Sequence, residues 1–148
     1  MPVAAFGRLC GALAGSEGEV SYRLDFGRDE LGTDYVDVHA QAPLTMTCQR
    51  TLEPFVLPVA VDARLGLIRR ERDEAALLPG CEPLLVPEDG RLHPADVIED
   101  ELLLALPLVP VNPDSSLPDA LVDGGEPKQD EAQARENHPF AVLRGLKK

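Results

Sequence analysis

Apolar and polar residues alternate with a period of two along three stretches of this chain and change to helical spacing in one. From Glu19 to Phe26, Val20, Tyr22, Leu24 and Phe26 alternate with Ser21, Arg23 and Asp25, the signature of a half-buried strand. Gly27 to Gly32 supplies a turn. Tyr35 to Ala42 alternates again, and Pro43 divides it from a run in which Leu44, Met46 and Cys48 alternate with Thr45, Thr47 and Gln49. Phe55 to Val61 is apolar and β-branched, with Leu65, Leu67 and Ile68 as its continuation, and Pro58 marks an edge position or a bulge. A short strand is expected at Leu84 to Val86. Adjacent strands separated by turns predict an antiparallel meander.

Helical spacing follows. His93-Pro94 puts a proline at the first helical position, Asp96 falls in the first turn near the positive end of the dipole, and Pro107 stops the run. The helix is predicted over about 94–106, with Val97, Ile98, Leu102, Leu104 and Ala105 on one face and Glu101 projecting into the middle of it. Met1 to Gly15 reads as a short helical or irregular lead with Phe6, Leu9 and Leu13 together. The predicted fold class is α+β, an antiparallel sheet packed by one main helix, over residues 19–111 after a lead at 1–18. Residues 112–138 are rich in Pro, Asp, Ser, Glu and Gln and predict a disordered acidic linker. Residues 139–148 regain hydrophobicity, with Phe140 and Leu143 at helical spacing, and read as a docking motif.

Composition narrows the core and the partners. Only 4% of the 148 residues are aromatic and none is Trp, so Leu, Val and Ala must build the core. The formal net charge of −12 disfavours indiscriminate binding to nucleic acid and favours basic partners, of which a ribosomal protein or an assembly factor is the expected kind. The same charge also serves solubility. Three irregularly spaced cysteines argue against a disulfide framework and for a reducing compartment. No segment reaches the apolar length of a membrane span, and a cytoplasmic protein without a membrane partner is expected.

Candidate chemistry is confined to a few clusters. Glu99, Asp100 and Glu101 form an acidic triplet; helix-dipole and solvation effects account for the first two, while Glu101 on a burying face needs a cation. Arg50, where the meander turns toward its next strand, is its expected mate, and the alternative of an exposed Arg50 with Glu101 at the helix margin stands equally open. Arg64, Arg69, Arg70 and Arg72 are the only dense basic cluster, either an RNA phosphate contact or a solvated strand end. Cys48 and Thr51 hold the spacing of half a metal knuckle without its second thiolate, so a buried core cysteine is the better reading. No nucleophile motif, phosphate loop or metal-ligand spacing is present. The chain is expected to be no enzyme and to carry no metal or cofactor.

Three segments together carry a resemblance. Thr47 to Phe55 (TCQRTLEPF), Val97 to Pro110 (VIEDELLLALPLVP) and Asn137 to Leu143 (NHPFAVL), in this order and with a lysine end, resemble the bacterial YceD family over about Glu19 to the C-terminus. That family is known as the large ribosomal RNA subunit accumulation protein. The resemblance implies a role in synthesis, processing or stability of large-subunit (23S) rRNA and brings no catalytic residues. Acting through protein partners is the favoured reading, and direct binding of precursor rRNA by the Arg64 to Arg72 cluster is the alternative. Many relatives carry Cys-x-x-Cys where this chain has Cys48 and Thr51. Relatives also commonly begin with extra residues, so the start at Met1 is expected to be truncated, with a sheet edge left uncovered.

Overall fold

The computed structural model describes residues 1–116, and Met1–Ser115 forms one compact unit. Its centre is a four-stranded sheet in the order β1 (Ser21–Arg28), β2 (Asp34–Thr47), β3 (Pro54–Ile68) and β4 (Glu82–Leu85). The first three strands form the antiparallel meander that the alternation predicts. β4 departs from it by running parallel to β3, pairing Leu65–Ile68 with Glu82–Leu85. A parallel neighbour cannot follow through a tight hairpin, and residues 69–81, with a 3-10 helix at Glu71–Ala76, make the crossover. Gly66 lets that crossover lie against β3, because a Cβ there would fall 2.5 Å from Leu77 Cδ2 and 3.0 Å from Cys81 Sγ.

The proline that divides two runs in the sequence does not divide the strand. Pro43 lies inside β2, directly opposite Pro58 of β3. Neither can donate to the other, so they occupy a pair whose missing N–H groups face away from the β2–β3 ladder. β1 has ended by Gln41 on one side and β4 begins only at Leu65 on the other. No ladder bond is lost, and Pro58 sits where β3 is locally an edge.

Two helices cover one sheet face. Val36, Val38, Ala40, Ala42, Leu44 and Met46 of β2 are buried on it, and α2 (Pro94–Leu104) lays Val97, Ile98 and Leu102 upon them. Full burial of Ile98 and Leu102 contributes about 1.5–3 kcal/mol each. The helix ends two residues before the predicted 106, with Ala105 as its C-cap. The N-terminal lead belongs to this layer. Val3, Phe6 and Leu9, the last in α1 (Gly7–Ala12), are no more than 1% exposed and join Ile98 and Leu102 in the core. Ala14 N–H donates to Thr45 O at 2.8 Å, so the lead covers part of the β2 edge along the stretch where β1 has ended.

Candidate functional site

The acid of α2 that is buried is Glu99, not Glu101. Its side chain follows Ala95 and Ile98 around the helix toward α1, so its carboxylate meets that helix's first turn. Glu99 Oε1 accepts the N–H groups of Arg8 at 2.7 Å and Leu9 at 3.0 Å, and Oε2 accepts Arg8 Nε at 3.0 Å. Arg8 also reaches Asp100. Burial pushes the Glu99 carboxyl up, but the Leu9 and Arg8 donors outweigh it and hold its pKa below the ordinary value. Arg8 escaped the sequence reading because its partner lies some ninety residues along the chain and no local pattern links them.

The expected pairing of Arg50 with Glu101 is therefore corrected, and the alternative arrangement is the one found. Arg50 is exposed, with Nε donating to Ser115 Oγ at 3.0 Å and Nη2 to Asn112 O at 2.9 Å. Arg50 thus holds the segment after α2 against the β2–β3 loop. Gln49 N–H to Pro110 O, at 2.8 Å, closes the same contact. Two of the three segments singled out in the sequence, Thr47 to Phe55 and Val97 to Pro110, meet here.

Cys48 lies beneath that contact, fully buried and unpaired with another cysteine. Burial pushes its thiol up, yet the N–H of Asn112, the hydroxyl and N–H of Thr51 and the Ser115 hydroxyl outweigh it and bring the pKa down to about 6. Thr51, at the place of the second cysteine of a knuckle, thus supplies hydrogen-bond donors to the first. Leu52 in the same loop has a φ of 61° and is 74% exposed. Left-handed backbone at a non-glycine residue is costly, and here it is closed by Leu52 N–H to Cys48 O at 2.8 Å. Among the described residues, no group of three or more His, Cys, Asp or Glu is arranged to hold a metal.

The basic cluster is divided by the strand's alternation and largely answered from within. Arg64 lies on the sheet face opposite α2, makes a two-pronged pair with Asp37 and stacks 4.1 Å over the Tyr35 ring. The pairing holds Arg64 well above and Asp37 below their ordinary pKa values. Arg70 makes an equivalent fork to Asp73, at 3.0 Å to each oxygen. Arg69 is exposed without an ion pair among the described residues.

Glu101 lies on the flank of α2 that faces β4. Together with Asp100 it shares a groove of about 640 Å³ with Glu82, Leu65, Leu84, Leu103 and Leu104. Burial first, then the nearby charges of Glu82 and Asp100, push the Glu101 carboxyl above its ordinary pKa. Phe140 and Leu143 lie outside the described residues.

Comparison with known proteins gives a match to the family described as "Large ribosomal RNA subunit accumulation protein YceD" over residues 36–147. A protein of that description from Haemophilus influenzae (strain ATCC 51907 / DSM 11121 / KW20 / Rd) is 32% identical over 108 residues, which is 72% of this chain. The chain spans 62% of that relative's length. No solved structure matches it. No helix among the described residues is long and apolar enough to cross a membrane. The family match takes in most of β2, all of β3, β4 and α2, and the loop that Arg50 ties down, and on that match the chain belongs to the YceD family of large ribosomal RNA subunit accumulation proteins.

Proposed function

We propose that this chain promotes accumulation of large-subunit rRNA in the cytoplasm by binding a basic protein, a ribosomal protein or an assembly factor, and that it catalyses no reaction. The observation that carries this reading is the state of its charges. Arg64 and Arg70, two arginines of the basic cluster, are forked onto Asp37 and Asp73, while the chain as a whole carries −12. Phosphate affinity grows with the number of free cations that replace counterions, so a protein in this state gains little from RNA. A basic protein gains from the same field. RNA levels then respond through the partner.

Direct contact with precursor rRNA is the second reading, and Arg69 favours it because its guanidinium is exposed without an ion pair among the described residues. Crosslinking in growing cells that express the tagged full chain separates the two. The proposal expects protein crosslinks and no reproducible RNA crosslink. Strong RNA crosslinks at Arg64 to Arg72 would replace it with the second reading. Restored large-subunit rRNA in a strain lacking the gene is the functional readout, and arginine-to-glutamate changes at Arg69 and Arg70 are expected to leave it intact.

A further inference from the structure

The groove between β4 and α2 has a chemistry that the preceding reading does not specify. Its walls are apolar, formed by Leu65 and Leu84 from the sheet and Leu103 and Leu104 from the helix, and Leu104 is 75% exposed. Two carboxylates, Glu82 and Glu101, stand on it. The third acid there, Asp100, is engaged by Arg8. Among the described residues, no cation figures among the groups that act on Glu101; its charged neighbours there are Glu82 and Asp100, both of like sign. A half-buried carboxylate beside two others works against the fold. A glutamine there would lift that repulsion, so the negative charge is a cost to the free protein that a bound cation removes.

Apolar walls beneath unanswered carboxylates match one kind of side chain, a cation on a long aliphatic stem. RNA is excluded by sign and a purely apolar peptide by the two charges. We propose that this groove is the docking site for a lysine- or arginine-bearing segment of the partner protein, with an apolar residue of that segment seated beside Leu104 and the cation between Glu82 and Glu101. This rests on the protein-partner reading above and gives that partner a recognisable segment.

The test uses the full chain and a fluorescein-labelled synthetic peptide of alternating lysine and leucine, with controls in which leucine is replaced by serine or lysine by glutamate. The lysine-leucine peptide is expected to bind in a salt-sensitive manner and to shift the backbone resonances of Leu65, Glu82, Leu84 and Leu104. The double variant Glu82→Gln, Glu101→Gln is expected to weaken it about tenfold, which corresponds to about 1.4 kcal/mol. Leu104→Ser is expected to weaken the leucine peptide and leave the serine control unchanged. Neither change removes a core contact, and a cooperative circular dichroism melt at a temperature no lower than the parent's verifies the fold. Unchanged affinity in the double variant or resonance shifts confined to another face would overturn the groove, and peptide binding only after removal of residues 139–148 would overturn the partner segment as its occupant. A groove variant that still captures the parent's ribosomal proteins from cells sinks this site alone, whereas a parent that crosslinks to RNA and to no protein sinks the partner reading itself.

Discussion

Arg64 and Leu65 are adjacent residues of β3, yet they open onto regions with opposite electrostatic histories. On the Arg64 face Asp37 answers Arg64, and just beyond the end of β3 Asp73 answers Arg70. On the Leu65 face, at the β4 end of α2, Glu82 and Glu101 crowd one another over an apolar floor. A count of charges makes the first region look like a binding site and the second like solubility. Their partners reverse that order, since an answered charge is weakly available to a ligand and an unanswered one is not.

The sharpest way to probe the comparison is at the junction where an acid of the triplet is answered. Glu99→Ala leaves the N–H groups of Arg8 and Leu9 without their acceptor, and is expected to lower unfolding free energy by about 3 kcal/mol. Glu99→Gln, which keeps an oxygen acceptor, should lose less. Urea unfolding of the three proteins measures it, and an unchanged midpoint in the alanine variant would remove the distinction between Glu99 and Glu101.

A smaller effect is expected on the arginine side. Asp37→Asn with Asp73→Asn frees two forked guanidinium groups. Retention on precursor rRNA at low salt should rise a few-fold over the parent and vanish at high salt. If the parent already binds as tightly as this variant, the arginines were never occupied in solution.

The least of the expected effects concerns acid and the two neighbouring glutamates. Glu99 is held below its ordinary pKa of 4.5, so its contribution to stability is present above that value and lost as pH falls through its lower folded value. Glu101 is held above 4.5, so its proton favours the folded state and its charge opposes folding once pH rises through the raised value. Glu101→Gln is therefore expected to raise the neutral-pH melting temperature on the order of a degree, and Glu99→Gln to lower it. Melts from acid to neutral pH check both signs, and a fall for Glu101→Gln would mean that its carboxylate has a cation after all.

Local pattern carried the meander and the helix start, because alternation and proline placement act over a few residues. Strand direction at β4 was beyond it, since the choice between hairpin and crossover depends on where residues 69–81 pack and on the space left at Gly66. The helix face was read from α2 alone. It missed that α1 lies beside Glu99 and that the sheet gives way to a groove beside Glu101, so the buried acid was placed two residues too far along α2 and its cation in the β2–β3 loop instead of in α1. Arg50 was expected to meet Glu101 or to stand exposed; its acceptors, Ser115 and Asn112, lie in a stretch whose composition predicts disorder, so neither was a candidate.

The most direct measurement is carbodiimide crosslinking of the tagged full chain in cell extract, followed by mass spectrometry of the joined peptides. The reagent couples a carboxylate to an amine only where the two are in ion-pair contact. The account predicts bonds from Glu82 or Glu101 to a lysine of a ribosomal or assembly protein, lost in the Glu82→Gln, Glu101→Gln variant. Crosslinks from other carboxylates with these two left unmodified would contradict it.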